Sequence, residues 1–355
     1  MSGFFIHVLG HPNLPLRPED YPEDAQVRTC WSFCRLLSHL KIPFVYYGLS
    51  KSLVPDGGAL VDCGRATGVW SFGNAWHREY TRRLNNALKN FARENPATMG
   101  QCLVASLYGA AQSEVRLPFS APIMEPMLGY NHCWTGYRVF PSYAHQHVIY
   151  ATCQACAEGT KGNDAVIPHF LEPEDYPFSS KSEGYLLYLG RDSEDKGVQV
   201  ARDCAALAGL PLKMVHHGCQ GAEKASLLGG ALAVLVPTQY CEPFGYVAVE
   251  AQMCGTPVIT TDWGAFTETV ENGVTGFRCR TMTEFTEAVH ACKMLNRKII
   301  RQRALDKYSL AAVAKDYSLY FQFVYDTFNL DEGLGPEFLQ AVDLAKHNAN
   351  SNSEQ

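Results

Sequence analysis

Several common features are missing from this sequence. No run of about 18 apolar residues occurs, so no membrane-spanning helix is expected. Neither sign of charge accumulates: 30 Lys and Arg stand against 36 Asp and Glu, a net charge of −6. That balance, with no long basic run, argues against nucleic acid or an anionic membrane as the main partner. No G-x-G-x-x-G follows a strand-like segment, so the fingerprint of a dinucleotide-dependent dehydrogenase is absent. The opening MSGFFIHVLGHP has a short apolar run, no leading basic region and an early Pro12, and does not read as a signal peptide. No repeat of solenoid period is present, and low complexity is confined to the closing NANSNSEQ.

Cysteine is plentiful instead. There are 13, an odd number scattered along the chain. Without a leader they read as reduced thiols, mostly in the core, of a cytoplasmic protein. One grouping invites a metal. His145, His147, Cys153 and Cys156 give H-x-H and then C-x-x-C, side chains that zinc accepts. The alternative is one continuous helix, YAHQHVIYATCQACAEG, which would spread the four side chains around its axis. Structural zinc usually joins separated chain segments, which favours the helix, and no metal is expected.

A chain of 355 residues is longer than one core usually spans, so two domains are expected. FFIHVLG reads as a strand, VRTCWSFCRLLSHLK as a helix and IPFVYYG as a second strand, a βαβ unit with a long, turn-rich first connection. HREYTRRLNNALKNFARE reads as a polar helix and QCLVASLYG as a further strand. Pro118 to Tyr143 is rich in Pro, Gly and aromatics and yields no assignment. DAVIPHF looks like an exit strand before a Pro-rich linker between Pro168 and Ser180. The second half alternates strand and helix strictly: YLLYLG, LKMVHHG, LAVLVPT, TPVITT and VTGFRC are strands between helical segments. Nearly all-apolar strands in that alternation imply a parallel sheet covered on both faces. The expected class is therefore α/β, with two Rossmann-like parallel-sheet domains facing each other across a cleft. Residues 1–170 form the first and 171–330 the second. A terminal helix is expected over 331–347, with the first domain as its candidate packing partner, and a disordered tail over 348–355.

The chemistry is concentrated in EPFGYVAVEAQMCGTPVI, Glu242 to Ile259, where Glu242 and Glu250 are the only charges. Pro243 keeps Glu242 out of the helix, on the loop beyond the strand LAVLVPT. Glu250 falls about two turns into the following helix, leaning back toward its N-terminus. Both carboxylates can then face one ligand that also meets the helix N-terminus, whose N–H groups suit a phosphate. A carboxylate accepts hydroxyl donors in pairs, which suits a sugar or a ribose diol. Gly245 would allow close backbone approach. For Glu250 the competing reading is a pair or cap within its own domain. Arg191 and Lys196 follow another strand and can neutralise a diphosphate, or pair with Asp192, Glu194 and Asp195 on a solvated loop. The loop Gly264 to Glu268, in DWGAFTETV, could cradle phosphate oxygens with its backbone.

G-R-x(4)-K-G, then P-T-x(3)-E-P-F-G-x(4)-E-A-x(3)-G-T-P-V-I, then E-x-V-x-x-G-x-T-G-F, resembles the C-terminal half of retaining GT-B glycosyltransferases of family 4. The likeness runs from Tyr185 to Phe277 and its order and spacing are specific. It implies a hexosyltransferase whose C-terminal domain holds a nucleotide-sugar donor, UDP- or GDP-linked. By resemblance, Glu250 binds the ribose and Glu242 the donor sugar; Phe244 and Gly245 offer backbone N–H groups. Gly190 opens the loop on which Arg191 and Lys196 hold the diphosphate. The family uses no metal, so no cofactor is implied. Many relatives carry two glycines after the first strand; here Gly10 stands alone before His11. EPMLGY, TGYRVFPSYAHQH and DAVIPHF resemble a smaller subgroup of bacterial and viral genomes. That subgroup makes His147 a catalytic candidate and Glu125, Gly129, Tyr130 and Arg138 acceptor-side candidates. His11, His132 and Gln112 are further cleft candidates. For His147 and His11 the competing reading is a satisfied core histidine.

Other reactions fit the same architecture. A nucleotide-sugar epimerase would need placed acid and base groups, and no clear set is seen. A phosphorylase would need a cofactor lysine and a longer chain. A non-catalytic nucleotide-sugar-binding module is the remaining alternative, and fold alone does not separate it from an enzyme. The acceptor, the sugar and the oligomeric state are not written in these motifs. No nucleic-acid partner and no stable membrane insertion are expected.

Overall fold

A computed structural model describes residues 4–152 and 162–330. Cys153 and Cys156, the expected helix over 331–347 and the tail over 348–355 lie outside the described residues. The chain forms two parallel sheets. The first has seven strands, β1 (Phe5–Leu9), β2 (Phe44–Gly48), β3 (Gly58–Asp62), β4 (Cys102–Ser106), β5 (Ile123–Glu125), β6 (Tyr137–Phe140) and β7 (Ala165–Val166), ordered β3-β2-β1-β4-β5-β6-β7. The second has five, β8 (Leu186–Leu189), β9 (Leu212–Val215), β10 (Ala233–Val236), β11 (Val258–Thr261) and β12 (Gly276–Cys279), ordered β12-β11-β10-β8-β9.

Period-two side chains explain why both faces are covered. Ile6, Val8, Phe44 and Tyr46 point into one layer, against the helices Ala25–His39 and Leu310–Asn329. Leu9, Val45 and Tyr47 point into the other, against Trp76, Tyr80, Leu84 and Leu88 of the helix Ala75–Glu94. In the second sheet Leu187, Val234 and Val258 pack on the helix Tyr246–Met253, and Leu186, Tyr188, Leu235 and Ile259 on the helices Val198–Ala208 and Met282–Ala291.

Besides β5 and β6 in the unassigned stretch, β3 and the helix Arg297–Tyr308 were not anticipated. β3, GALVD, is half-buried and follows a turn at Asp56 and Gly57, so no apolar run announces it. The helix Arg297–Tyr308 is strongly polar and buries only Ile300, Ala304 and Tyr308, spaced four apart. Its arginines fix it instead: Arg297 donates to the carbonyls of Ser179, Gly229 and Ala231, and Arg301 to those of Pro173, Tyr176 and Met253.

The helix Leu310–Asn329 lies in sequence with the second domain but in space with the first. Val313, Ala314, Tyr317, Phe321 and Val324 complete the first core, and Tyr317 accepts the Met127 N–H at 3.1 Å. Beside the outgoing linker the chain crosses back. Leu171 N–H donates to Tyr308 O at 2.8 Å and Leu310 N–H to Leu171 O at 3.1 Å, so the two crossings are hydrogen-bonded together.

Candidate active site

The order of the second sheet reverses between β8 and β10. At such a point the loops leaving the strands diverge and open a crevice at their carboxyl ends. The β8 loop carries Gly190, Arg191 and Lys196; the β10 loop carries Tyr240 and Glu242. Gly197 brings the loops together. Its φ is +68°, and a Cβ there would lie 2.0 Å from the Pro237 carbonyl oxygen. Gln239 N–H donates to Asp195 O at 2.8 Å across the same seam. Lys196 Nζ then lies 2.8 Å from Glu242 Oε2, an oxygen that also accepts Tyr240 OH at 2.9 Å. Lys196 Nζ sits 4.7 Å from the centre of the Tyr240 ring. Burial works against the ammonium, but Glu242 and Tyr240 outweigh it and hold its pKa above the ordinary lysine value. Arg191 is exposed and pairs with Asp195 at 2.9 Å.

The helix Tyr246–Met253 starts at Gly245, whose φ is +83° and where a Cβ would lie 2.6 Å from the Phe266 ring. No side chain caps it, and Ala248 N–H closes onto Gly245 O at 3.0 Å, which leaves the N–H groups of Tyr246 and Val247 as those the helix start offers to a ligand or to water. Phe244 is core: its ring meets His169, Tyr246 and Tyr308. The loop at Gly264 differs from the expected phosphate cradle. Thr267 and Glu268 N–H close their own turn on Gly264 and Ala265, and Ala265 N–H donates to Glu242 O at 2.9 Å. With φ +59° and its Cβ direction 2.7 Å from Glu242 N, Gly264 serves to seat the Glu242 backbone.

Glu250 does not stand open beside Glu242. It is fully buried, with Lys224 Nζ at 2.7 Å from Oε1 and 2.6 Å from Oε2, and Tyr176 OH donating to Oε1 at 2.9 Å. Arg28 of the first domain reaches to 3.7 Å. Burial alone would raise this carboxyl's pKa; Lys224, Arg28 and Tyr176 overcome it and hold it below the ordinary glutamate value. The pairing within the fold, one of the two readings of the sequence, is the arrangement seen.

The first-domain candidates are mostly structural. Glu125 is buried and accepts Tyr130 OH, Trp134 N–H, Thr135 N–H and Thr135 Oγ1 at 2.9–3.0 Å, so it organises its own loop instead of facing an acceptor. Tyr130 is spent in that contact. Arg138 is buried against Asp164 in two bonds of 2.8 Å, bracing β6 to the segment before β7. Gln112 is saturated, accepting from Ser106, Leu107 and Tyr108 and donating to Gly10 O and Tyr80 OH. Gly10 is required because a Cβ would lie 2.5 Å from Tyr47 O and 2.7 Å from the Tyr46 ring. His11 is buried, and its Nδ1 accepts the N–H groups of Asn13 and Leu14 at 3.0 Å, which fixes the Nε2–H tautomer. Gly129 and His132 are exposed on the loop that Glu125 holds. On the helix Tyr143–Thr152, His145 points into the core and His147 lies on the exposed side. A zinc site would need both to turn to one point, and a catalytic His147 has no carboxylate beside it among the described residues.

Buried imidazoles make a pH prediction. Burial lowers His7, His11 and His145 to about 4 and His169 to about 3. The unfolded chain takes up these protons near 6.5, while the folded one resists until about 4, so stability falls as pH drops through that window. The total loss is on the order of several kcal/mol. Urea midpoints at pH 7.5, 6 and 5 should fall in that order; a flat series would mean the rings titrate freely.

The comparisons with known proteins fit this geometry. Residues 203–304 match the model of the family described as glycosyl transferases group 1. That segment is similar to group 1 glycosyltransferases. Over 152 residues the chain is 30% identical to glycogen synthase of Mycobacterium tuberculosis, covering 32% of this chain and 35% of that protein. Over 102 residues it is 58% identical to D-inositol 3-phosphate glycosyltransferase of Rhodococcus erythropolis, covering 27% and 23%. The matches thus span about a third or less of these relatives' lengths. The whole fold is similar to AviGT4, a glycosyltransferase involved in avilamycin A biosynthesis, with TM-score 0.68, 19% identity, and 91% and 98% of the two chains covered. Sucrose-phosphate synthase from Thermosynechococcus elongatus gives 0.63, 14%, 91% and 99%. Anabaena HepE in complex with UDP and glucose gives 0.59, 14%, 89% and 99%. The architecture is GT-B. Among the described residues no helix is long and apolar enough to cross a membrane.

Sequence reasoning missed Lys224, Tyr176, Arg28 and Tyr240. Lys224 carried a signal, a cation in AEKASLLGG directly ahead of an apolar strand. Arg28 and Tyr176 carried none, because Tyr176 reaches Glu250 through the packing of the second-domain core and Arg28 comes from the other domain.

Proposed function

We propose that the protein is a retaining hexosyltransferase of family 4 type. It moves a sugar from a UDP- or GDP-sugar to a hydroxyl acceptor in the cytoplasm, without a metal. The observation that carries this reading is the Lys196–Glu242 pair in the β8/β10 crevice, beside the uncapped helix at Gly245. A diphosphate would take Lys196, Arg191 and the helix N–H groups, and the sugar hydroxyls would take Glu242. The bond from anomeric carbon to phosphate oxygen breaks as the acceptor oxygen bonds that carbon on the same face. The electron pair stays with the diphosphate, and the acceptor's proton passes to its leaving oxygen. Lys196 and Arg191 oppose the charge that grows there, which is the contribution a divalent ion would otherwise make.

The test is thermal denaturation with UDP, GDP, ADP, their sugar conjugates and NAD, followed by nucleotide-release assays with acceptors, with and without EDTA. A nucleotide at 100 times its Kd should stabilise by about 2.7 kcal/mol. Arg191→Ala should slow transfer roughly tenfold, a modest effect because an exposed guanidinium is screened. Stabilisation by no nucleotide would overturn the donor site. Interconversion of donor sugars without acceptor would favour an epimerase, and binding without turnover a non-catalytic module.

A further inference from the structure

The two domains are joined at a place that the donor-site reading leaves unused. The helix Tyr143–Thr152 of the first domain begins with the orphan N–H groups that every helix start exposes. They are satisfied from the other domain. Glu268 Oε2 accepts Tyr143 N–H and Oε1 accepts Ala144 N–H, each at 2.9 Å. Ser142 caps the next position, its Oγ accepting His145 N–H at 3.0 Å. The Ser142 hydroxyl then donates to Pro243 O of the second domain at 2.7 Å. Pro243 directly follows Glu242. The Glu242 carbonyl, on its other side, is held at 2.9 Å by Ala265 N–H, three residues before Glu268.

We propose that Ser142 and Glu268 form a cross-domain clasp that sets Glu242 for reaction only when the cleft is closed, making both of them positioning residues. Within its own domain Glu242 is seated through Ala265 and Gly264. The hold on the neighbouring Pro243 carbonyl comes from the first domain and is lost when the domains part. A carboxylate set against a helix N-terminus is favourable on charge as well as on hydrogen bonding. Opening must therefore strip Glu268 from two N–H donors and Pro243 from a hydroxyl at the same time. The clasp links closure of the cleft to the geometry of the loop that grips the sugar. Its catalytic consequence rests on the glycosyltransferase reading; its physical existence does not.

Two measurements separate these. Hydrogen exchange of the Tyr143, Ala144 and His145 amides should be slow in the wild type. It should speed up at least tenfold in Glu268→Ala at Tyr143 and Ala144, and in Ser142→Ala at His145. Glu268→Gln keeps one acceptor oxygen and should be intermediate, and it covers the case in which Glu268→Ala does not fold. With a nucleotide sugar that the wild type turns over, each folded variant should lose about tenfold or more in kcat, with nucleotide affinity and KM for donor within about twofold. Small-angle scattering should show that donor compacts the wild type and not Glu268→Ala. Unchanged exchange at these amides would overturn the clasp itself. Faster exchange with wild-type kcat and compaction would overturn its positioning role. Absence of turnover in the wild type would count against the glycosyltransferase reading while leaving the exchange result to decide the clasp.

Discussion

Glu242→Ala should lower the rate of sugar transfer by about 10²–10³-fold, the loss found when one preorganised polar group at a reacting centre is removed. The fold should survive. Glu242 sits on the β10 loop with its side chain 15% exposed, outside both hydrophobic cores. Its backbone is held by Ala265 N–H and packed by Gly264, contacts the substitution leaves in place. The group left behind is Lys196, which keeps Tyr240 OH and is 22% exposed, so water can take up its freed charge. Glu242→Gln preserves shape and removes the charge, and should fall between wild type and alanine. Initial rates beside a melting curve decide the matter. Unchanged turnover would remove the centre of the functional argument, and lost turnover with lost folding would move Glu242 into the structural class.

Glu250→Ala should instead destabilise the protein, by about 3–5 kcal/mol, because it breaks a buried pair and strands the other charge. Lys224 Nζ contacts both carboxylate oxygens, and Tyr176 OH donates to one of them. Removing the acceptor leaves a buried ammonium and a buried hydroxyl without it. The double substitution Glu250→Leu with Lys224→Met should recover much of the loss, since apolar replacement of a buried pair is often neutral or better. Urea unfolding of the two single variants and the double variant measures the coupling. A destabilisation below about 1 kcal/mol for Glu250→Ala would mean that water reaches the site. The pH dependence has a definite sign. Glu250 is held below its ordinary pKa in the fold, so its stabilising contribution is complete above about 4.5 and is lost on further acidification. That window opens at the lower end of the one in which the buried histidines act. A loss of nucleotide binding in Glu250→Ala is therefore informative only at a temperature where the variant is shown to be folded.

The parts of this protein that were legible in the sequence are those governed by neighbours along the chain. The strands of the second sheet are short apolar runs between Gly and Pro, and the helix Tyr246–Met253 is bracketed by Gly245 and Gly255, so local chemistry sufficed. Glu242 beside Pro243 could only be a loop residue, and the structure has it on one. Pro118 to Tyr143 was not legible because β5 and β6 are three and four residues long and their spacing is carried by Glu125 holding a loop ten residues on. The Arg297–Tyr308 helix was missed because its arginines find carbonyls far away in sequence, which no periodicity reports.

The same division runs through the site. Sequence alone determined which residue types stand after β8 and β10, and hence that two cations and a carboxylate meet at one sheet edge. Only the tertiary structure decided how they are used. It paired Lys196 with Glu242 and Glu250 with Lys224, placed Arg28 at the second domain's buried carboxylate, and turned His145 inward and His147 outward. It also took Glu125, Arg138 and Gln112 out of the cleft and into the scaffold. The reason is that a charged or polar side chain has no preferred role of its own. Whether it binds a ligand or braces a loop depends on whether folding supplies a partner before a substrate can, and those partners lie 26 to 222 residues away for the pairs of Glu250.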